Sequence, residues 1–197
     1  MRRAGRRPAA LILAAMMAAP GGLGASAEHG GRPEPRPFKV SVEEYVELHR
    51  RVRATLPPLE VTPEPRRILK ASDRLTAALR DARRGAQAGE VFNPVVAASF
   101  KARIHYALRD PDRRKRIVER LTEVEEDEDE RPPAGWKPAV NGTLDWFATG
   151  ATPHGILEAL PDLPDELQYR FVGLDLILLD VDANLIVDIL PAAVSPR

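Results

Sequence analysis

Three polar–proline pairs constrain the fold of this chain more than any other feature. They are Thr62-Pro63, Asn93-Pro94 and Asp110-Pro111. Proline is favoured at the first position of a helix, and a preceding Thr, Asn or Asp can cap the free N–H groups of the first turn. Each pair therefore predicts the start of a helix, which makes residues 41–131 a helical region.

A further helix is predicted to precede these three. Ser41 and Glu44 have the spacing of a capping box, and Val40 with Tyr45 can form the hydrophobic staple around it. Pro57-Pro58 ends this helix. The apolar face of the helix is predicted to comprise Val42, Tyr45, His49, Val52 and Leu56.

The inward faces of the other helices follow from the same periodicity. Gly89 is predicted to stop the second helix, and a short fifth helix is predicted from Thr152-Pro153 to Leu160. The predicted inward residues are Ile68, Ser72, Leu75, Leu79, Ala82 and Ala86 in the second helix, Val96, Phe100, Ile104 and Ala107 or Leu108 in the third, and Ile117, Val118 and Leu121 in the fourth.

The C-terminal part of the chain changes to a strand pattern. Gln168 to Val172 and Leu185 to Leu190 read as strands on either side of a wholly apolar strand, Leu176 to Leu179, and two short turns connect them. An apolar strand between two amphipathic ones suits the centre of an antiparallel meander that is covered on both faces. We therefore predict an α+β fold: about five helices, then a C-terminal three-stranded antiparallel β-meander.

The segment from Tyr169 to Leu190 resembles the C-terminal hairpin of small exported bacterial proteins. These include the nickel/cobalt-homeostasis periplasmic proteins and families with no known function. The shared pattern is an aromatic strand, a Gly/Asp turn, an apolar strand, a short turn and an ending close to IVDIL. The resemblance implies a location in the cell envelope and carries no catalytic residue. The chain has only four histidines, fewer than a dedicated metal carrier would suggest.

The first 27 residues have the order of a secretory signal peptide. Arg2, Arg3, Arg6 and Arg7 precede the apolar stretch Ala9 to Ala19, and Ala25-Ser26-Ala27 offers a cleavage site. The apolar stretch is shorter than the roughly 20 residues that a membrane span needs. We expect cleavage after Ala27; a retained membrane anchor and the twin-arginine export route through Arg6-Arg7 are the alternatives. The mature protein is then periplasmic or secreted.

The predicted organisation has four parts. Residues 1–27 are the signal peptide, 28–40 a flexible tether, 41–131 the helical region with its acidic end, and 132–197 an aromatic linker with the short helix and the meander. The last two parts are expected to pack as one domain. The aromatic linker holds Trp136, Trp146 and Phe147, which either pack over the core or line a binding surface.

Composition excludes several classes of function. The chain has no cysteine, which excludes disulfides, a lipidated cysteine, Cys nucleophiles and Cys-ligated zinc. Basic and acidic residues number 29 each, and the predicted signal removes four Arg and no acid. The mature chain is therefore mildly acidic, with no global electrostatic reason to bind nucleic acid or anionic lipid.

An acidic run follows the basic stretch Arg113 to Arg116. One interpretation is a solvated, frayed helix end before Pro132-Pro133. The others are a docking strip for a basic partner, or a weak divalent-cation patch that lacks the ligand spacing and glycine of a calcium loop. If the run is a docking strip, its partner-binding residues are Glu123, Glu125, Glu126, Asp127, Glu128, Asp129 and Glu130.

Candidate chemical groups are few, and none forms a motif that specifies a reaction. His29, His49, His105 and His154 show no metal-binding spacing. His49 lies in the middle of an apolar helix face, as expected of a core or interface histidine, whereas His105 should be solvated. No serine has the setting of a nucleophile elbow, and we assign no catalytic, cofactor-binding or metal-binding residue.

Three aspartates of the meander could form a carboxylate pair. Asp180, Asp182 and Asp188 lie close in sequence, and paired carboxylates can serve glycoside hydrolysis or hold a cation. As turn and strand-end residues, however, these aspartates need no further explanation.

The sequence therefore leaves three functional hypotheses. We expect a non-catalytic envelope or secreted protein that binds another protein through its helical face or its acidic run. The alternatives are a small envelope hydrolase that uses a carboxylate pair, and a metal-responsive accessory protein.

Overall fold

The computed structural model describes residues 36–58, 63–122, 133, 135–149 and 152–196. These residues form an α+β fold that ends in a three-stranded antiparallel meander of strand order β1-β2-β3, as predicted. Among them, no helix is both long and apolar enough to cross a membrane. The helices are α1 (Phe38–Ala54), α2 (Pro65–Ala82), α3 (Pro94–Ala107), α4 (Pro111–Thr122) and α5 (His154–Leu157), and the strands are β1 (Leu167–Val172), β2 (Asp175–Asp180) and β3 (Leu185–Leu190).

The central strand β2 is covered on both faces, as its apolar sequence predicts. Leu176 and Leu178 face the main core beneath the helices, while Ile177 and Leu179 face a second cluster on the opposite side. That second cluster is closed by residues of the aromatic linker, chiefly Leu144 and Trp136. Part of the linker therefore packs over the sheet, whereas Phe147 remains 56% exposed.

The strand pairing contains one irregularity beside the candidate site. Leu178 pairs with Asp188 and Leu179 pairs with Ile186, so Val187 is an extra residue in β3. Such a bulge bends the strand and changes the direction of nearby side chains. It also keeps Asp188 on the face of Leu178, which is the face that meets the helices.

The main core lies between the sheet and helices α1, α3, α4 and α5. Phe100 of α3 is at its centre, with ring centroids 4.8 Å from Phe38, 5.3 Å from Phe92 and 6.1 Å from Tyr169. Aromatic rings at these distances and tilts attract each other in addition to the area they bury. Helix α2 packs separately, through Leu75 and Leu79 against the β2–β3 connection.

Two of the predicted helix starts are confirmed with their caps. The Asn93 side chain accepts hydrogen bonds from the N–H groups of Val95 and Val96, each at 3.2 Å. The Asp110 carboxylate accepts one from Arg113 N–H at 2.7 Å. The predicted inward residues of both helices are also buried or partly buried.

The predicted start of α1 is wrong. The helix begins at Phe38, directly after Pro37, and has no side-chain cap. Ser41 thus lies inside the helix, where its hydroxyl is buried without a hydrogen-bond partner, and Val40 is 40% exposed rather than stapled. The physical reason is tertiary: Phe38 packs on Phe92 and Phe100, which favours helical structure before the predicted capping box.

The bounds of α2 and α5 also differ from those predicted. Helix α2 begins at Pro65, one polar–proline pair later than Thr62-Pro63, and leaves Ile68 47% exposed. It ends at Ala82 instead of running to Gly89, because Arg83 leaves helical geometry and points its guanidinium into the protein. Helix α5 ends at Leu157, short of Leu160.

Candidate functional site

The first buried polar group is the Asp180 cluster, formed by Tyr45, His49, Asp180, Asp182 and Arg53. One oxygen of Asp180 accepts hydrogen bonds from Tyr45 Oη and His49 Nδ1, each at 2.6 Å. Its other oxygen accepts the N–H of Ala183 at 3.0 Å. Tyr45 and His49 are four residues apart on α1, so they lie on the same helix face. The cluster therefore ties α1 to the end of β2.

The imidazole of His49 lies between two carboxylates. Its Nε2 is 3.6 Å from Asp182 Oδ2, which also accepts a hydrogen bond from Arg53 Nη1 at 2.8 Å. The hydrogen bond to Asp180 raises the pKa of His49 above its usual 6.5; burial opposes this, and the negative charges of Asp180, Asp182 and Glu166 reinforce it. The charged imidazolium is thus favoured at a position that is only 1% exposed.

Tyr45 stays protonated in this setting. Burial, followed by the negative charge of Asp180, raises the pKa of its phenol far above the usual value. The hydroxyl is therefore a permanent donor to Asp180 rather than a group that exchanges protons.

The second buried group is the Asp188 cluster, in which one carboxylate accepts backbone N–H groups. Asp188 Oδ2 accepts from Val91 at 2.8 Å and Phe92 at 2.7 Å, and Oδ1 accepts from Gly89 at 2.9 Å. These amides belong to the loop between α2 and α3. Gly89 has φ +90°, a conformation that glycine adopts without steric cost. The loop is thus wrapped around a side chain of β3.

Arg83 lies beside both clusters and is 8% exposed. Its guanidinium donates to Val187 O at 2.9 Å and to Asn141 Oδ1 at 2.8 Å, and it lies 5.1 Å from the centre of the Tyr45 ring. Asn141 in turn donates to Arg83 O at 2.6 Å. The arginine therefore joins the end of α2 to the sheet and to the aromatic linker.

An open cavity of about 590 Å³ lies between α1 and the α2–α3 loop. Ser41, Tyr45 and Arg83 form its buried part, and Glu44 and Glu90 are on its rim. Arg36 pairs with Glu44, and Arg83 Nη2 lies 3.7 Å from Glu90. The positive and negative charges of this cavity thus balance each other.

The structure separates the three aspartates that were candidates for a carboxylate pair. Asp180 and Asp182 meet at His49, while Asp188 binds the α2–α3 loop instead. His49 is a buried core histidine, as predicted, and His105 is solvent-exposed. Sequence reasoning missed Tyr45 and Arg83 as polar partners; the only signal was the i, i+4 spacing of Tyr45 and His49.

The predicted partner-binding residues are not among those that the structure describes. Glu123, Glu125, Glu126, Asp127, Glu128, Asp129 and Glu130 lie outside the described residues, as does His29. Within the part of the chain that is described, no three His, Asp or Glu side chains are arranged so that they could hold a metal ion.

Helix α3 has an unusual exposed surface. Its sequence, PVVAASFKARIHYA, contains no acidic residue and is mostly apolar, with Lys101, Arg103 and His105 as its basic residues. One face buries Val96, Phe100 and Ile104. The opposite face, which we call the exposed α3 face, has residues at the i, i+3, i+4, i+7 and i+11 positions of a helical stripe: Val95, Ala98, Ser99, Ala102 and Tyr106.

The largest side chains of the exposed α3 face are well exposed: Val95 is 61% and Tyr106 is 67% accessible. The guanidinium carbon of Arg109 lies 4.6 Å from the centre of the Tyr106 ring. A groove of about 280 Å³ adjoins Tyr106 and continues between α3 and α5 to Arg113 and Glu158.

Comparisons of the chain with protein-family models, with curated proteins and with solved structures found no match. The resemblance of the segment from Tyr169 to Leu190 to exported bacterial proteins therefore stays a prediction.

Proposed function

We propose that this chain is an exported, non-catalytic protein that binds another protein through its helical face. The observation that carries the proposal is the exposed α3 face. Among the described residues, α3 is covered on one face only, and its opposite face is apolar with basic borders. An exposed apolar patch that is rimmed by polar residues marks a site of interaction with another protein. Tyr106 lies on the exposed α3 face and Arg109 lies over its ring, and both residue types are enriched in protein interfaces.

The buried polar residues support the non-catalytic part of the proposal. A general base must reach the proton that it abstracts, and a nucleophile must lie within hydrogen-bond distance of its base. His49 is 1% exposed, and its Nδ1 is hydrogen-bonded to Asp180 while its Nε2 lies 3.6 Å from Asp182. Ser72 donates its hydroxyl to the backbone oxygen of Asp182 rather than to His49. These groups hold elements of the fold together.

The proposal is tested by site-specific photo-crosslinking in the exporting bacterium. A benzophenone side chain at Ala98 or Ala102 should yield a defined protein adduct, while the same group at exposed Lys70 on α2 should not. Introducing Ala102→Glu beside the crosslinker at Ala98 should abolish the adduct. An adduct pattern that is the same at Ala98 and Lys70, or no adduct at either α3 position, would contradict the proposal.

The acidic run is the second candidate surface for the same function. It follows α4 in the sequence, and a basic partner would be attracted to its seven carboxylates. Replacing the acids between Glu123 and Glu130 by their amides should weaken the crosslinked complex if the run contributes. An undiminished adduct would assign the binding to the α3 face alone.

Export is tested separately from binding. N-terminal sequencing of the mature protein from the envelope or the medium should begin at Glu28 if cleavage follows Ala27. Recovery of the intact N-terminus in the membrane fraction would support the retained anchor instead. The metal-responsive alternative predicts a rise in melting temperature with Ni²⁺ or Co²⁺, because a ligand that binds only the folded state stabilises it.

A further inference from the structure

We infer that the partner presents an amphipathic helix with an apolar face and acidic flanks to the exposed α3 face. The inference rests on the proposed function, because it names the chemistry of the partner at the same surface. It is drawn from the side chains that border the exposed α3 face.

The centre of the exposed α3 face is narrow and made of small residues. Ala98, Ser99 and Ala102 are all exposed, and the larger Val95 and Tyr106 lie towards the two ends. Small side chains let another helix approach closely, and helices pack with axes about 8–10 Å apart depending on the residues at the contact. A strip of this shape fits the apolar ridge of a single helix.

The flanks of the exposed α3 face are basic. Lys101 and Arg103 are the neighbours of Ala102, and each points about 100° to one side of it around the helix. Both are exposed. Next to Lys101, His105 accepts a hydrogen bond from Arg114 of α4 at 3.2 Å, which adds a second positive charge on that side.

No acidic side chain on α3 balances these charges. Among the described residues, two acids towards α5 and α4 have partners of their own: Glu158 lies 3.1 Å from His154, and Asp110 caps α4. Arg103 reaches the backbone oxygen of Ala159 at 3.4 Å and keeps its charge. Charges at the rim of an interface direct association and select partners of opposite charge. A helix with an apolar face and acidic flanks is complementary to both the apolar strip and its basic borders.

The test uses two synthetic amphipathic peptides of about 18 residues, long enough to form isolated helices. Both have the same Leu/Ala face, and their polar flanks are all Glu in one and all Lys in the other. Binding to the purified protein is measured by fluorescence anisotropy at low and high salt. The Glu-flanked peptide should bind at least tenfold more tightly, and added salt should reduce this difference.

Two variants locate the binding. Lys101→Glu with Arg103→Glu should reverse the peptide preference, and Ala102→Glu should abolish binding of both peptides. The control, Lys70→Glu with Arg74→Glu on α2, carries the same charge change at exposed positions and should bind as the unaltered protein does. Circular dichroism and thermal melting establish that each variant is folded.

Equal binding of the two peptides, or tighter binding of the Lys-flanked one, would overturn the inference, as would failure of the Glu-flanked peptide to bind. Unchanged binding by the Ala102→Glu variant would overturn it as well. None of these results decides the crosslinking at Ala98, so the partner chemistry can fail while the proposed function stands.

Discussion

The Asp180 and Asp188 clusters hold the same sheet to the helical layer by different chemistry. Asp180 accepts hydrogen bonds from two side chains, those of Tyr45 and His49. Asp188 instead accepts hydrogen bonds from three backbone N–H groups of the α2–α3 loop. Both carboxylates are fully buried. The side-chain partners include His49, whose pKa is raised above its usual value, whereas backbone amides do not titrate. The first connection should therefore weaken as pH rises through the pKa of His49.

The largest effect is expected at Asp188. Asp188→Ala leaves the N–H groups of Gly89, Val91 and Phe92 without their acceptor, and a buried unsatisfied donor costs about 1–3 kcal/mol. We expect a loss of about 4 kcal/mol in the free energy of unfolding, measured in urea. Asp73→Ala, at an exposed position of α2, is the control and should change stability by less than about 0.5 kcal/mol. Similar losses in the two variants would contradict the role of Asp188.

The next effect is a loss of stability in Asp180→Asn that depends on pH. The folded-state pKa of His49 is raised, so the stabilisation from its pairing is fully present below the unfolded value of about 6.5. It is lost as pH rises through the folded-state pKa. The variant should therefore lose about 3 kcal/mol near pH 6 and less at alkaline pH. Asp188→Asn, measured in the same pH series, should show no such trend.

Tyr45→Phe should have a smaller effect. It removes one hydrogen bond to a charged acceptor, worth about 1.5–3 kcal/mol, and keeps the ring that packs in the core. We expect a loss of about 1.5 kcal/mol that changes little between pH 6 and 9. Combined with Asp180→Asn, the loss should be less than additive, because both changes remove the same contact. Full additivity would contradict a shared contact.

The smallest effect is expected at Ser41, which was predicted to cap α1 but lies inside the helix. A capping serine replaced by alanine costs about 1 kcal/mol, but the Ser41 hydroxyl is buried and makes no hydrogen bond. Ser41→Ala should therefore leave stability unchanged or raise it slightly. Asn93→Ala removes a real cap and should cost about 1 kcal/mol. A comparable loss of stability in Ser41→Ala would instead support the predicted capping box.

Sequence reasoning succeeded where the determining contact is local. Asn93 and Asp110 cap helices that begin at the next residue, and β3 has the predicted bounds, Leu185 to Leu190. It failed where distant residues decide the structure. Phe38 extends α1 backwards by packing on Phe92 and Phe100, and Arg83 ends α2 by bonding to Val187.

The same limit applies to the candidate site. The periodicity of α1 placed His49 in the core, but its partner Asp180 is 131 residues further along the chain. The partners of Asp188 are backbone N–H groups. Since every residue except proline has one, they give no sequence signal. The exposed α3 face could not be predicted for a related reason. An apolar helix face has the same sequence pattern whether another part of the protein covers it or not.

The central claim is that the buried polar residues hold the fold together, with a charged His49 between two carboxylates. The most direct measurement is a nitrogen-detected NMR titration of the His49 ring, assigned by comparison with His49→Gln. We predict that both ring nitrogens carry protons at pH 6.5 and that the midpoint lies above the usual histidine pKa of about 6.5. A neutral imidazole at that pH, with a midpoint below this value, would contradict the account.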